Sequence, residues 1–221
     1  MTKNQNKYRV LLALCFLSLM SIVAGCAKEI PKTLFDLALD EVKDGTSTTI
    51  NTADMPGVGD EQVKMLEGVE GLVELRLNKS SITDEGVRSI MKIPNLLILS
   101  LGETRVTDDS LAILAKHPTL QHLSLDKTRV TDQGLVHVVT IPNLQELFLW
   151  QCAVTDKGCS TIAKMTKLKR LSLDETRITG KGFLELKTLK NMKRVSVWRT
   201  AVTDADAAQF NKTLPDCDVN R

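Results

Sequence analysis

Leu72-Val73-Glu74-Leu75-Arg76-Leu77 is the stretch that decides how this chain folds, because it returns five times. It recurs as Leu96 to Leu101, Leu120 to Leu125, Leu144 to Leu149, Leu168 to Leu173 and Met192 to Val197, each start 24 residues after the last and without an insertion. Six units fill residues 72 to 215. Positions one, four and six of every unit are Leu, replaced only by Met and Val in the last. Alternation at four and six predicts a short strand with one buried face. Position eleven is always Ile or Val, and position nineteen is Ile90, Leu114, Val138, Ile162, Leu186 and Phe210. Spacing from position sixteen to nineteen predicts a short helix with one apolar stripe. No single unit can bury both stripes. Side-by-side stacking joins the strands into a parallel sheet and closes one core.

Between strand and helix stands Thr-Asp: Thr83-Asp84, Thr107-Asp108, Thr131-Asp132, Thr155-Asp156 and Thr203-Asp204. Thr and Asp are strong helix N-caps, since their side-chain oxygens accept from the unpaired amides of the first turn. Thr179-Gly180 in the fifth unit predicts a weaker cap. Pro94, Pro118 and Pro142 end the helices of the first three units. Position nine is a column of small polar groups: Thr104, Thr128, Thr176 and Thr200 with Ser80 and Cys152. Stacked hydroxyls there can satisfy loop backbone.

The whole pattern, L-x-x-L-x-L-x-x-T-x-[IV]-T-D-x-G-[LV], resembles the cysteine-containing branch of the leucine-rich repeats. That branch occurs in eukaryotic F-box substrate receptors and in bacterial secreted proteins. The resemblance implies an α/β fold: a right-handed solenoid with a parallel sheet on its concave face and short helices on its convex face. The resemblance does not specify a partner; the outward face and the lack of a catalytic motif, both described below, lead to the expectation of a non-enzymatic, protein-binding role. No F-box-like segment lies upstream, which argues against a ubiquitin-ligase role.

The N-terminus carries Lys3, Lys7 and Arg9, then an apolar run from Val10 to Ala24. Fifteen residues are short for a membrane-spanning helix and fit a secretory signal over 1–25. The run ends Val23-Ala24-Gly25-Cys26, which resembles the lipobox of bacterial lipoproteins. The resemblance implies cleavage after Gly25, lipidation of Cys26 and anchoring in the cell envelope, with Ala27 favouring the outer membrane. Residues 26–30 then form a tether. Three of the 29 basic residues and none of the 27 acidic ones lie in 1–25, so the mature chain carries 26 against 27, a net charge of −1. Such a balance does not suggest a nucleic-acid partner.

Residues 31–71 predict a cap and a degenerate repeat. Leu34, Phe35, Leu37, Ala38 and Val42 are spaced for a helix ending at Gly45. Thr49-Ile50 fits an edge strand, and Asp60-Glu61-Gln62-Val63 falls 24 residues before Asp84. At the other end, residues 216–221 close the stack with a final short strand.

Positions three, five and seven point away from the core. Both tryptophans of the chain, Trp150 and Trp198, fall in position seven, with Phe148 beside the first. Aromatics are only 4% of the chain, so the core is left to Leu, Val and Ile while three rings face outward. The last three units also gather Arg170, Arg194 and Arg199, and Trp and Arg dominate interface hot spots. Asp174 lies between the tryptophans in register. The set Phe148, Trp150, Arg170, Asp174, Arg194, Trp198 and Arg199 is therefore the candidate surface for a protein ligand. The alternative is an envelope-associated or structural protein that stacks the two indoles on a glycan or peptidoglycan fragment. Arg105, Arg129 and Arg177 alternate with Glu103, Lys127 and Glu175 as a solvated mixed-charge edge, with a second recognition strip as the alternative.

No catalytic constellation is present. There is no Gly-rich phosphate loop, no His-Glu-x-x-His and no Gly-x-Ser-x-Gly. His117, His122 and His137 make no triad or metal set by spacing. Cys152, Cys159 and Cys217 show neither a metal pattern nor a Cys-x-x-Cys pair. They read as buried thiols, with a disulfide or metal pair as the alternative. Neither a cofactor nor a catalytic or metal site is expected.

Overall fold

The computed structural model describes residues 32–221. The expected signal peptide over 1–25, the lipidation site Cys26 and the tether over 26–30 lie outside the described residues. Helix α1 (Leu34–Lys43) leads into strand β1 (Thr49–Asn51) and helix α2 (Asp60–Lys64). Six regular coils follow: β2 (Glu74–Arg76) with α3 (Asp84–Ile90), β3 (Ile98–Ser100) with α4 (Asp108–Leu114), β4 (His122–Ser124) with α5 (Asp132–Val138), β5 (Glu146–Phe148) with α6 (Asp156–Ile162), β6 (Arg170–Ser172) with α7 (Gly180–Glu185), and β7 (Arg194–Ser196) with α8 (Asp204–Asn211). A 3-10 turn (Leu186–Thr188) extends α7, and β8 (Asp218–Asn220) ends the chain. All eight strands form one parallel sheet in chain order. Among the described residues no helix is long and apolar enough to cross a membrane.

The sequence period becomes the strand register. Leu75 pairs with Leu99, Leu99 with Leu123, Leu123 with Leu147, Leu147 with Leu171 and Leu171 with Val195. Ile50 extends this row at one end and Val219 at the other. Except for Val219, which packs on the edge of the core, the row is buried. Burying each such side chain contributes about 1.5–3 kcal/mol. The core is not purely aliphatic, however. Phe35, Phe183 and Phe210 are buried in it, the last two stacked at 4.5 Å between centroids. Phe35 comes from the first helix, and the stacked pair from the helices of the last two coils.

The Thr-Asp motif does two things, one within its coil and one between coils. Each Thr caps its own helix: Thr83, Thr107, Thr131 and Thr155 accept from the amides of Glu85, Asp109, Gln133 and Lys157. Thr179 caps α7 in the same way, accepting from Lys181, so the fifth cap is present despite Gly180. Each Asp reaches forward into the next coil. Asp132 Oδ1 accepts the Thr155 amide at 2.8 Å and its Oδ2 accepts the Thr155 hydroxyl at 2.6 Å. Asp60, Asp84, Asp108 and Asp156 hold Thr83, Thr107, Thr131 and Thr179 through the same two bonds. The glycine two residues after each Asp makes room for the carboxylate arriving from the previous coil. A Cβ on Gly158 would sit 2.5 Å from Asp132 Oδ1 and 2.7 Å from Val154 Cγ1. In the second coil Ser110 takes the glycine's place and donates its hydroxyl to Asp84. Burial pushes the Asp84 carboxyl up, but the hydrogen bonds from Ser110 and Thr107 together outweigh it and hold the carboxyl below the usual range.

The fifth and sixth coils move that carboxylate. Gly180 stands where Asp should be, and Asp206 stands where the next coil should have Gly. Asp206 accepts the Thr203 amide at 2.9 Å and its hydroxyl at 2.6 Å. The same two donors are satisfied from inside the coil. The space above Gly180 is filled by the Asp206 carboxylate.

Position nine behaves as a second ladder. Ser80, Thr104, Thr128, Thr176 and Thr200 each donate to the carbonyl three residues back, at 2.6–2.7 Å. Cys152 donates instead to the Leu125 carbonyl of the preceding coil, at 3.1 Å. Cys152, Cys159 and Cys217 are free and buried. Burial pushes the Cys159 thiol up to about 12 and Cys217 to about 11.

Candidate functional site

The sheet face turned away from the core is built from one residue in two along each strand. Small side chains line much of it. Ser100, Ser124 and Ser172 are covered by their neighbours, whereas Phe148 is half-buried between two of them. Just beyond each strand the backbone turns sharply. Lys79, Glu103, Lys127, Gln151, Glu175 and Arg199 occupy position eight, and all six have φ between +52° and +62°. Left-handed backbone at non-glycine residues is uncommon and needs support. Here the amide of each of the first five donates to a carbonyl of the next coil at 2.7–3.0 Å.

Position seven sits immediately before that turn, and it alternates. Asn78, Asp126 and Asp174 each accept the amide of the next coil's position seven: Gly102 at 2.8 Å, Trp150 at 2.8 Å and Trp198 at 2.6 Å. Asp126 also takes the Ser124 hydroxyl, and Asp174 those of Ser172 and Ser196. Asp126 and Asp174, which flank Trp150 in this column, are thus turn-builders that hold the backbone of the next ring in place. Burial raises the Asp126 carboxyl above its ordinary range, with a smaller push from Asp174.

Both indoles carry a cation on the protein itself. Lys127 Nζ lies 4.3 Å from the Trp150 ring centroid, and the Arg199 guanidinium 4.1 Å from that of Trp198. Such contacts are worth roughly 0.5–1 kcal/mol at exposed sites. Phe148 lies beside Arg170 at 5.6 Å and His122 at 4.9 Å. Glu146 links those two neighbours, 3.0 Å from His122 and 3.2 Å from Arg170. Arg194 is turned to Asp218 of the last strand at 2.8 Å. Gln151 and Arg199 converge on Glu175, at 2.6 and 3.5 Å. The Gln151 bond is the main cause of a lowered Glu175 pKa, with help from the Trp150 side chain. Trp198 is 42% exposed and Trp150 is half-buried.

This repeating frame also appears in known proteins. The sequence profile of the Leucine Rich repeat family matches residues 72–91 and 116–138. The crystal structure of internalin C2 from Listeria monocytogenes superposes with a TM-score of 0.56 at 20% identity, covering 78% of this chain and 80% of that one. A second Listeria monocytogenes internalin, inlF, gives a TM-score of 0.58 at 17% identity, covering 78% of this chain and 52% of its own length.

The fold is a leucine-rich-repeat solenoid. No curated protein matches the chain. Within the leucine-rich-repeat frame, the structure brings Phe148, Trp150, Arg170, Asp174, Trp198 and Arg199 onto one continuous stretch of the outward sheet face and its bordering turn, with Arg194 at the margin. Lys127, Glu146, His122 and Glu175 belong to the same surface and were not among the sequence candidates. The signal for Lys127 was available, since it lies one position beyond Asp126 and one coil before Trp150. Among the described residues no group of three or more His, Cys, Asp or Glu is arranged to hold a metal ion.

Proposed function

We propose that this protein is a non-enzymatic, lipid-anchored binding module that recognises a protein partner on the outward face of its sheet at β5–β7. One observation carries the reading. At β5–β7, Phe148, Trp150 and Trp198 stand on a face otherwise made of serines and charged groups, whereas Phe35, Phe183 and Phe210 are buried in the core. Exposed Trp and Arg in a rigid frame supply interface anchors at low entropic cost. The rings also come pre-ordered, since the Asp126 and Asp174 carboxylates fix the backbone under both indoles. Lys127 and Arg199 already cover a face of each indole. That favours an amphipathic protein surface over stacking against a sugar. Lipidation of Cys26 would hold the module in the cell envelope, with the outer membrane favoured by Ala27.

Gentle detergent extraction followed by co-purification tests the reading. The full chain should bring down a stoichiometric protein. A Phe148→Ser/Trp198→Ala variant should lose at least about 30-fold in affinity for it, as truncated hot spots do. Its melting temperature should stay near that of the parent. Retention of the partner by that variant, or indole quenching by glycan fragments with no protein captured, would overturn it.

A further inference from the structure

Charge is distributed very unevenly along this chain. Residues 163–194 hold ten basic and three acidic side chains, a net of +7, against a net of +2 for the whole. Two of the three acids, Asp174 and Glu175, sit at the far end of the strand in the turn. The lysines concentrate at the other end, on the loops that lead into β6 and β7. We propose that Lys164, Lys167, Lys169, Lys187, Lys190 and Lys193 form a docking ridge for an anionic phospholipid surface.

All six are exposed. Among the described residues no carboxylate, Asp216 included, lies within 4 Å of any of their ammonium groups. Three of them rest on neutral acceptors instead. Lys167 donates to the Pro142 carbonyl at 2.8 Å, Lys169 to Gln145 Oε1 at 2.7 Å and Lys190 to the Lys187 carbonyl at 3.2 Å. Neighbouring coils stand about 4.8 Å apart. Lys169 and Lys193 face each other across one such step, joined by the Lys193 amide and the Lys169 carbonyl at 2.8 Å. The result is a two-dimensional patch of point charges.

The chemistry of the patch selects among anionic partners. Its arginines, Arg170 and Arg194, each already give one guanidinium nitrogen to a carboxylate, Glu146 and Asp218, so the six lysines are the charges left without an acidic partner. It presents no ring for base stacking, since Phe183, the aromatic of this segment, is buried. Lysine is depleted in protein interfaces. Clustered flexible ammonium groups without forks or rings suit a diffuse array of phosphates, where each Lys near an anionic membrane contributes about fivefold in partitioning. The ridge is distinct from the aromatic face, and the proposal holds whether or not that face binds a protein.

Co-sedimentation of the full chain with vesicles tests this. Neutral phosphatidylcholine vesicles report binding that owes nothing to the ridge, and vesicles containing phosphatidylglycerol add the anionic surface. Anionic lipid should raise partitioning strongly at low salt. Lys167→Gln/Lys169→Gln/Lys190→Gln/Lys193→Gln should lower that gain by about 100-fold or more, leaving neutral-vesicle binding and the melting temperature unchanged. A control set at the other end, Lys43→Gln/Lys64→Gln/Lys79→Gln/Lys92→Gln, should keep the gain. The proposal is overturned if the ridge variant keeps its anionic preference, if the control set loses as much, or if the ridge captures poly-glutamate but not the anionic vesicles.

Discussion

Replacing Asp132 by Ala removes one rung of the carboxylate ladder and nothing else of size. Its two oxygens take the amide and the hydroxyl of Thr155 at 2.8 and 2.6 Å. Hydrogen bonds to a charged group contribute about 1.5–3 kcal/mol each, and the half-buried setting places these at the low end. The two together come to about 3 kcal/mol. Thr155 loses the partner that aims its hydroxyl at Lys157, so part of a helix cap, at most about 1 kcal/mol, goes with them. For a chain of this size 1 kcal/mol moves the melting point by about 2–4 °C. A drop of about 6–16 °C in circular-dichroism melting is therefore expected, with faster hydrogen exchange at the Thr155 amide. Asp132→Asn keeps one acceptor and should lose about half as much. Asp109→Ala is the matched control, because Asp109 is exposed and its carboxylate is engaged in no bond. If Asp132→Ala and Asp109→Ala melt together, the ladder does not hold the coils to one another.

The relocated carboxylate of the last two coils gives a sharper test by double-mutant cycle. Asp206→Gly should destabilise by orphaning Thr203, and Gly180→Asp should destabilise by driving a second carboxylate into Asp206. The pair together should recover the parent's stability, and additive losses would refute the exchange. His117 occupies a loop column that is Ile93, Ile141, Met165 and Leu189 in the neighbouring units and Thr213 in the last. It is fully buried, and neither ring nitrogen is hydrogen-bonded even though the Ile93 backbone is close. His117→Leu should stabilise by about 1–3 kcal/mol in urea titration. Burial lowers the folded pKa of this ring. Below about pH 6.5 the unfolded chain takes up a proton that the folded chain resists, so the parent loses up to about 1.4 kcal/mol per pH unit there. The advantage of His117→Leu should accordingly widen from pH 7.5 to pH 5, and a constant gap would refute the assignment.

Much of this architecture is legible from residues 72–215 alone. A fixed 24-residue spacing with no insertion places Leu75, Leu99, Leu123, Leu147 and Leu171 in one row, and the observed register follows that row residue for residue. The threonine caps are local and equally readable. The aspartates are not, because their partners lie 23 residues ahead, in a coil whose position depends on how far the stack has already closed. Gly180 and Asp206 nonetheless carry the clue, since two departures from the pattern that cancel each other imply contact. At the candidate site, column assignment puts Trp150 and Trp198 on the outward face. It says nothing of Lys127 folding over one ring, nor of Asp174 turning its carboxylate to backbone and serines rather than to solvent. Long side chains choose among neighbours by distances that a repeat pattern does not encode.

The left-handed residue that follows each strand has a wider implication. Because that bend is held in the first five coils by bonds to the adjacent coil and not by glycine, its side chain is free to pair across coils, as Lys127 does with Trp150 and Glu175 with Gln151 and Arg199. Lysine, glutamate, glutamine and arginine all occur there on one and the same lattice point. The molecule therefore works as a ruled surface with about 5 Å between lines, on which each mark is read together with its neighbours on the adjoining lines.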